Sequence, residues 1–372
     1  MSRIACIAPQ AQIVHGGLER YVQRLAQLLV ANGHDVTVVT IDTYQGKQYT
    51  DQTIDGIHYR RIPVLFDVTQ RLKIWPGLYL FLKKEKFDIV QCFLHSQSAF
   101  FISFAAAKLS GSKMYVTTYG ASAREADYSG IQKLILSFFD LLAVPLLRRS
   151  DMVFCRGIPL SKQFVKQMNI PERRCADSVS AIEQRYFTYI NHKTKRTPHS
   201  ILFNGRLHPH KGPQHIVEAV ANLMLKYPDI RLWITGPDHG LRKDLEQLII
   251  QKQASQNITI LGVVPEDQLI SLMDQASCFV LSSVFEGLSQ AMLKAIARKT
   301  PVIATSIPSA QEILGKHYPL LYPYGNIPIL MKKIDMVFTH WQTYHKTMTT
   351  LIPKLKPLIY EIEMPHLLKY YV

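Results

Sequence analysis

The sequence has few cysteines, and they are widely scattered. The 372-residue chain contains five: Cys6, Cys92, Cys155, Cys175 and Cys278. Small secreted domains depend on dense cysteines, and many zinc sites use short Cys-x-x-Cys pairs. The scatter therefore excludes a disulfide-stapled scaffold and a cysteine zinc site. It also predicts a reducing, cytoplasmic compartment.

A long uninterrupted apolar segment is also missing. In the first half, the longest stretch without Lys, Arg, Asp or Glu runs from Ile89 to Ala107, and the polar residues 95–98 interrupt it. The segment from Leu134 to Leu147 contains Asp140 and Pro145 and is too short to cross a bilayer. The amino terminus has no pattern of a secretory signal. We therefore expect no membrane span, and a chain that is soluble or peripheral.

Acidic residues are the scarcer charge type. The chain has 28 Asp and Glu against 43 Lys and Arg, a formal net charge of +15. This excess favours an anionic partner, such as nucleic acid, a phosphorylated ligand or an acidic membrane surface, over a solvated basic surface without a role. No zinc-finger spacing or RNA-binding aromatic signature accompanies the charge, so we expect no nucleic-acid partner.

Short apolar runs alternate with helical segments along the chain. Strands are predicted at Ile4–Ala8, Val36–Ile41, Asp88–Phe93, Met114–Tyr119, Met152–Cys155, Ile201–Asn204, Arg231–Thr235, Ile258–Leu261, Cys278–Leu281 and Pro301–Ala304. The first helix places Leu18, Tyr21, Val22, Leu25, Leu28 and Leu29 on one face and ends at Asn32-Gly33. Apolar strands alternating with helices indicate α/β domains with parallel sheets covered on both faces.

The series of strands starts twice, and the polar, basic stretch 189–198 separates the two runs. We therefore predict two Rossmann-like domains, 1–187 and 199–352, followed by a carboxy-terminal segment, 353–372. Ligands of such folds bind at the carboxyl ends of the strands. The cleft between the two domains is the expected place.

The first strand leads into a turn with two glycines, Gly16 and Gly17, ahead of the first helix. Glycines at such a turn let backbone N–H groups approach an anion, and the helix dipole adds to the attraction. The Gly-x-Gly-x-x-Gly spacing of dinucleotide-binding turns is absent. An anion-binding loop and an ordinary turn both remain open here.

Two cations, Arg206 and Lys211, follow the strand that opens the second domain. They stand five residues apart on a loop flanked by Gly205 and Gly212. The planar guanidinium of Arg206 and the mobile ammonium of Lys211 can together bind a diphosphate. Solvated loop cations are the alternative, and the glycines and the strand-end position favour the anion site.

A carboxylate, Glu286, stands at another strand-to-helix turn, after the apolar run Cys278–Leu281. A helix is predicted to start near Leu288 or Ser289. The free N–H groups of a first helical turn bind anions, so residues 287–289 are candidate phosphate contacts. Glu286 either accepts hydrogen bonds from sugar hydroxyls or complements the helix dipole.

Three short blocks follow one another along the chain: Gly16-Gly17-Leu18-Glu19-Arg20-Tyr21, Asn204-Gly205-Arg206-Leu207 with Lys211-Gly212, and Glu286-Gly287 leading to Pro301-Val302-Ile303-Ala304. In their order and spacing, these blocks resemble the GT-B-type retaining glycosyltransferases of family four, which transfer sugars from nucleotide-sugars. The resemblance covers nearly the whole chain. It implies two Rossmann-like domains facing a central cleft, with a carboxy-terminal helix that crosses back to the first domain.

The resemblance implies that three residues are catalytic. Arg206 and Lys211 match the cations that bind the donor diphosphate. Glu286 matches the first Glu of the family's Glu-x7-Glu motif, which contacts the donor sugar.

Further donor contacts follow from the same resemblance. Gly16 and Gly17 match the loop beside the donor phosphate. Leu288 to Gln290 match the helix start whose amides meet the phosphates, and Gly287, another candidate donor contact, directly precedes it. Val263 and Val264 match the loop near the nucleobase, and Val264 is the candidate contact.

Two positions in the donor site depart from the family pattern. The second Glu of the motif, which accepts hydrogen bonds from ribose hydroxyls, is replaced by Lys294, and an ammonium only donates. Lys294 therefore either binds a phosphate or hydroxyl oxygen or points to solvent. The family's histidine near the donor sugar is replaced by Tyr119, whose hydroxyl can hydrogen-bond but does not titrate near neutrality.

The resemblance implies a reaction that needs no metal and no cofactor besides the nucleotide-sugar donor. The sequence has no Asp-x-Asp motif, and Arg206, Lys211 and the helix amides would stabilise the charge on the departing diphosphate. We expect transfer of a hexose to a glycan or lipid-linked acceptor with retention of configuration. The departures at Lys294 and Tyr119 favour a second hypothesis. In that hypothesis the chain is a catalytically degenerate homologue that binds a sugar nucleotide or glycan as a partner subunit.

Two stretches of the first domain, 71–86 and 134–149, combine basic, aromatic and aliphatic residues. This composition suits the interface of an anionic membrane. It suits ordinary helices whose cations extend to solvent equally well. The sequence therefore leaves open whether a cytoplasmic protein also binds the inner face of the membrane.

Overall fold

The computed structural model describes residues 1–9, 11, 17–44, 46–69, 72–93, 95, 97–118, 130–155, 165–178, 182–188 and 195–372. The chain forms two compact units. The first contains Met1–Ser180 and Ile362–Val372, and the second contains Ala181–Glu361. In the described ranges, no helix combines the length and the apolarity that crossing a membrane requires.

A largely parallel sheet forms the centre of the first unit. The strands are β1 (Arg3–Ile7), β2 (Asp35–Ile41), β3 (Thr43–Tyr44), β4 (Lys47–Gln48), β5 (Gln52–Ile54), β6 (Ile57–Ile62), β7 (Phe66–Thr69), β8 (Leu72–Ile74), β9 (Ile89–Phe93), β10 (Lys113–Thr118), β11 (Met152–Cys155) and β12 (Cys175–Asp177). The main sheet has the order β12-β11-β10-β9-β1-β2-β6-β5. Only β5 at its edge pairs antiparallel. The pairs β3–β4 and β7–β8 form separate antiparallel ribbons.

The helices of this unit are α1 (Gly17–Ala31), α2 (Pro76–Glu85), α3 (Ser98–Ser110) and α4 (Gly130–Arg149). The predicted apolar face of α1 is buried at Tyr21, Val22, Leu25 and Leu29, with Ala26 beside them. The helix ends at the predicted glycine. Gly33 has a φ of +82°, and its N–H donates to the Val30 carbonyl at 2.9 Å.

The apolar runs predicted the buried strands of the first unit well, because β1, β2, β9, β10 and β11 all lie within one residue of their predicted bounds. The ribbons and edge strands between residues 43 and 74 were not predicted. These strands are short, and β6 alternates buried and exposed residues instead of forming an apolar run. Their pairing therefore depends on the tertiary fold.

The second unit is built on a six-stranded parallel sheet. Its strands are β13 (Ser200–Asn204), β14 (Arg231–Thr235), β15 (Ile258–Gly262), β16 (Cys278–Leu281), β17 (Val302–Thr305) and β18 (Leu321–Tyr322), in the order β15-β14-β13-β16-β17-β18. The helices are α5 (Arg185–Thr188), α6 (Pro213–Leu223), α7 (Arg242–Gln251), α8 (Glu266–Gln275), α9 (Gln290–Ala297), α10 (Pro308–Leu314), α11 (Ile327–Thr339) and α12 (Trp341–Leu355). Five of the six strands match predicted apolar runs.

The division into units differs from the predicted boundaries at both ends of the second unit. Helix α5 was placed mostly in the first domain, and residues 353–361 in the carboxy-terminal segment, whereas both lie in the second unit. Helix α5 belongs there because Tyr186 is buried and Arg298 Nη1 donates to its carbonyl oxygen at 3.1 Å. Most of the predicted linker lies outside the described residues.

The last eleven residues pack into the first unit. Tyr371 is fully buried, its hydroxyl donates to Gln91 Oε1 at 2.6 Å, and its ring lies parallel to that of Phe154. This segment is not the single helix expected. The short α13 (Tyr360–Glu363) is followed by 3-10 turns over Met364–Tyr370, because Pro365 lacks the N–H that an α-helix needs.

Candidate donor-binding site

The sheet of the second unit changes its winding direction between the neighbouring strands β13 and β16. From β13 the chain passes through α6 to β14 on one side, and from β16 it passes through α9 to β17 on the other. Ligands of open α/β sheets bind beyond the carboxyl ends of the strands at such a point. Two loops occupy this place: residues 205–212 and residues 282–289.

Close backbone packing fixes the start of the loop after β13. A Cβ on Gly236, which has a φ of +129°, would stand 2.0 Å from the carbonyl oxygen of Gly205. The N–H of Leu207 donates to the Pro237 carbonyl at 2.8 Å. This anchoring leaves Arg206 exposed at the end of the strand.

A tight turn then brings Lys211 to the loop after β16. Residues Pro209–Lys211 form a 3-10 turn capped by His208, whose Nδ1 accepts a backbone N–H of the turn at 3.3 Å. A Cβ on the following Gly212 would lie 2.2 Å from the carbonyl oxygen of Ser282. Because Ser282 Oγ also donates to the Lys211 carbonyl at 2.7 Å, the two loops are in direct contact.

Lys211 and Glu286 form an ion pair where the loops meet. Lys211 Nζ contacts Glu286 Oε1, and Ser283 Oγ donates to the same oxygen at 2.9 Å. The two side chains are 18% and 16% exposed. The structure thus brings together a cation suited to phosphate and a carboxylate suited to sugar hydroxyls, two groups that are 75 residues apart in sequence.

Histidines that the sequence analysis did not single out surround these cations. Burial lowers the pKa of His208, and the positive charges of His210, Arg206, His239 and Lys211 lower it further. Burial and the charge of Arg206 likewise lower the pKa of His239. A bound anion counters this repulsion and favours protonated imidazole. The His-Pro-His sequence before Lys211 was the available signal.

Helix α9 begins at Gln290, just after the predicted start. Ser289 caps it, since its Oγ accepts the N–H of Met292 at 3.4 Å. Gly287 is half-buried, and Leu288 and Ser289 are buried. The amino end of α9, with its partial positive charge, therefore directly follows the turn that carries the Lys211-paired carboxylate.

Lys294 is 6% exposed, so of the two alternatives for its side chain the solvent-facing one does not hold. Its Nζ lies 3.1 Å from Glu266 Oε2 and 4.6 Å from the centre of the Tyr186 ring. The Tyr186 hydroxyl donates to the same carboxylate oxygen. The structure therefore pairs Lys294 with a carboxylate that the motif comparison did not single out.

Val264 lies half-buried in the loop between β15 and α8, and its neighbour Val263 is exposed. The loop ends at Glu266, the first residue of α8. Val264 and Lys294, two candidates that are far apart in sequence, are thus connected through Glu266.

The candidates of the first unit are only partly described. Gly17 is the exposed first residue of α1, whereas Gly16 and Tyr119 lie outside the described residues. The carboxyl edge of this sheet also holds a residue that the sequence analysis treated only as a polar interruption. His95 follows β9, is buried, and its Nδ1 lies 2.7 Å from Thr118 Oγ1.

The described residues contain no group of three His, Cys, Asp or Glu side chains arranged to hold a metal ion. The loop after β14 carries the carboxylate of Asp238. Its Oδ1 accepts the backbone N–H groups of Gly240, Leu241 and Arg242 at 2.9 to 3.1 Å. Asp238 thus stabilises the amino end of α7.

Both halves of the chain match models of known families. Residues 15–176 match Glycosyltransferase Family 4, and residues 189–349 match Glycosyl transferases group 1. The chain belongs to glycosyltransferase family 4. The predicted family is therefore confirmed over most of the chain.

Relatives of this glycosyltransferase span most of its length. It is 24% identical to an uncharacterized glycosyltransferase of Methanocaldococcus jannaschii, over 88% of this chain and 86% of the relative. It is 22% identical to the UDP-Gal:alpha-D-GlcNAc-diphosphoundecaprenol alpha-1,3-galactosyltransferase of Escherichia coli, over 82% and 80%. It is 25% identical to the GDP-mannose:cellobiosyl-diphosphopolyprenol alpha-mannosyltransferase of Xanthomonas campestris, over 79% and 76%.

Solved structures confirm the predicted fold. Sucrose-phosphate synthase of Thermosynechococcus elongatus is similar with a TM-score of 0.76 at 17% identity, covering 100% of this chain and 98% of that one. Anabaena HepE in complex with UDP-glucose is similar with a TM-score of 0.77 at 13% identity, covering 100% and 99%. The glycosyltransferase has the GT-B fold with parallel sheets.

Proposed function

We propose that this glycosyltransferase transfers a hexose from a nucleotide-diphospho-sugar to a lipid-linked or glycan acceptor with retention of configuration. The observation that carries the proposal is the Lys211–Glu286 pair, held at the switch point of the sheet, with Arg206 on the same loop as Lys211. Cations there bind the diphosphate, and the carboxylate accepts hydrogen bonds from the sugar. One pair of contacting loops therefore offers cations for the diphosphate of a donor and a hydrogen-bond acceptor for its sugar.

The reaction needs stabilisation of the leaving group more than it needs a nucleophile. As the bond from the anomeric carbon to the phosphate oxygen breaks, negative charge develops on the diphosphate, and Arg206, Lys211 and the first amides of α9 stabilise it. The acceptor oxygen bonds to the anomeric carbon on the same face. Its proton passes to the departing phosphate oxygen. The protein positions the reactants and supplies fixed charge without requiring a metal ion.

The relatives support the kind of substrate proposed. The names of the Escherichia coli and Xanthomonas campestris relatives specify nucleotide-sugar donors and acceptors joined through a diphosphate to a polyprenol-type lipid. We propose an acceptor of the same chemical class, bound by the first unit. The donor base and sugar are to be found by screening.

A thermal-shift screen against UDP, GDP, ADP and their sugars tests the donor proposal. A ligand at about 100 times its dissociation constant stabilises the fold by about 2.7 kcal/mol. Donor hydrolysis is then measured with the best ligand, with and without a membrane extract. Binding without hydrolysis or transfer would favour the second candidate, a degenerate binding subunit, for which the lysine at position 294 is the supporting observation.

We also propose that the protein is cytoplasmic and binds the inner face of the membrane through α4. The exposed side of this helix carries Phe138, Leu141 and Leu142 at helical spacing and ends at Arg148 and Arg149. An exposed apolar stripe followed by cations fits an anionic lipid surface.

Flotation with vesicles that contain phosphatidylglycerol tests the membrane proposal. We expect binding at low salt that falls as salt rises, because the charge attraction is screened. The variant Leu141→Asn with Leu142→Asn should lose most of the binding. Leu225→Asn, at a residue that is 95% exposed in the second unit, is the matched control. Equal flotation of both variants would refute the assignment to α4.

A further inference from the structure

The Glu266 carboxylate is held firmly in one place. It accepts from Lys294 Nζ, at 3.4 Å on Oε1 and 3.1 Å on Oε2, and from the Tyr186 hydroxyl. Tyr186 is itself fixed, because Arg298 Nη1 donates to its carbonyl at 3.1 Å. Arg298 also makes two contacts of 2.8 Å with the Asp274 carboxylate. Side chains from α5, α8 and α9 thus set the position of a single carboxylate.

This carboxylate lies at the edge of the sheet where the donor would bind. Glu266 is the first residue of α8, two positions after Val264 in the loop that follows β15. Its partner Lys294 is in α9, whose amino end follows Glu286. Glu266 is therefore joined by the chain to the loop after β15 and, through its contact with Lys294, to the helix that follows the loop carrying Glu286. Its side chain remains 19% exposed.

A nucleoside diphosphate offers a carboxylate such as Glu266 the hydroxyls of its ribose as hydrogen-bond donors. Next to the diphosphate stands the ribose, whose two vicinal hydroxyls need hydrogen-bond acceptors. A carboxylate is the usual acceptor for a ribose hydroxyl in Rossmann-like folds. Lys294 cannot serve, since an ammonium only donates. Glu286 is engaged by Lys211 on the phosphate side, and Asp238 caps α7.

We propose that Glu266 is the acceptor for the ribose hydroxyls of the donor, and that Lys294 and Tyr186 are positioning residues that hold it. The family motif has its ribose-binding carboxylate at position 294, in α9. Here the carboxylate comes from Glu266 in α8, and the lysine at position 294 orients it. This inference rests on the proposed function, because it requires a nucleotide donor.

Calorimetry with ribonucleoside diphosphates and their 2′-deoxy and 3′-deoxy forms tests the assignment. The base is the one that binds best among UDP, GDP and ADP. We expect the full-length protein to bind the ribose form about 10–100-fold tighter than at least one deoxy form, the range of a hydrogen bond to a charged group. In Glu266→Gln this preference should largely disappear through weaker binding of the ribose form alone.

Two further variants keep the experiment decisive. Asp267→Asn changes the charge of the neighbouring residue, which is exposed and pairs with Arg185, and should keep the full preference. The double variant Glu266→Lys with Lys294→Glu retains the ion pair and returns a carboxylate to the same place, so it should recover much of the preference. Melting temperatures identify any variant that fails to fold. If Glu266→Gln does not fold, Glu266→Asp replaces it, because it keeps the negative charge but withdraws the carboxylate by one methylene group and should likewise lower the preference.

The outcomes distinguish a failure of the Glu266 assignment from a failure of the proposed function. An unchanged ratio of ribose to deoxyribose affinity in folded Glu266→Gln, or in the variant that replaces it, overturns the assignment of Glu266 and leaves the proposed function intact. If the unmodified protein binds no nucleoside diphosphate, the proposed function fails and the assignment falls with it.

Discussion

Lys211 and Arg206 are both expected to bind the donor diphosphate, but the structure predicts that they differ in what they do for the fold. Lys211 is paired with Glu286, and the two side chains are 18% and 16% exposed, whereas Arg206 stands exposed at the end of β13. Replacing either cation by alanine removes a charge-assisted hydrogen bond to phosphate. Replacing Lys211 also leaves a mostly buried carboxylate without its cation.

The sizes of these effects follow from burial. Breaking a fully buried ion pair costs about 3–5 kcal/mol, and an exposed pair contributes about 0–1 kcal/mol. Because Ser283 still donates to Glu286 at 2.9 Å, we expect about 2 kcal/mol for Lys211→Ala. For a domain of about 150–250 residues this lowers the melting temperature by about 4–8 °C. Arg206→Ala, a surface change, should stay within about 0.5 kcal/mol, or about 2 °C.

The assay combines scanning fluorimetry without ligand and calorimetry with the best nucleoside diphosphate. Both variants should lose about 1.5–3 kcal/mol of binding free energy. Adding Glu286→Gln to Lys211→Ala is the control: it should recover part of the melting temperature but none of the affinity. Equal melting temperatures for Lys211→Ala and the unmodified protein would refute the argument that the pair is buried. Unchanged affinity in both alanine variants would refute the diphosphate site itself.

Three further predictions concern the same loops. Glu286→Gln keeps the size of the side chain but loses its charge, so donor hydrolysis should slow by about 10²–10³-fold while affinity for the free nucleotide barely changes. Loss of nucleotide affinity with an unchanged rate of hydrolysis would show that Glu286 has another role. The pKa of His208 is lowered in the free protein, and a bound diphosphate raises it. The complex therefore holds more protons than the free protein, and affinity for the diphosphate should increase from pH 8 to pH 6. Calorimetry at the two pH values checks the sign, and His208→Gln should flatten the pH dependence. Gly212→Ala places a Cβ 2.2 Å from a backbone oxygen at a φ of +66°, so it should lower the free energy of unfolding by about 2–4 kcal/mol, as measured by chemical denaturation. Gly240→Ala is the control and should lower the free energy of unfolding by less, because a Cβ there has no neighbour within 4 Å.

The sequence predicted the buried strands and the two-unit organisation well for a simple physical reason. A strand covered on both faces must be apolar throughout, so β1, β9, β13 and β16 are visible as apolar runs. Strand β6, which lies next to the edge of the sheet, alternates buried and exposed residues, and the ribbon strand β7 is short, so their pairing depends on the tertiary fold. The boundary near α5 was missed because Tyr186 belongs to the second unit through a hydrogen bond from Arg298, more than 100 residues away in sequence.

The sequence by itself determined the fold class and the family and predicted the residue types of the candidate donor site, because these depend on local apolar patterns and on short motifs. Arg206, Lys211 and Glu286 are predicted as site residues in this way. Only the tertiary structure decided which side chains meet. The pairing of Lys211 with Glu286 and of Lys294 with Glu266 joins residues 75 and 28 positions apart. Such pairing depends on strand order and loop geometry, which the spacing of residues along a chain does not encode.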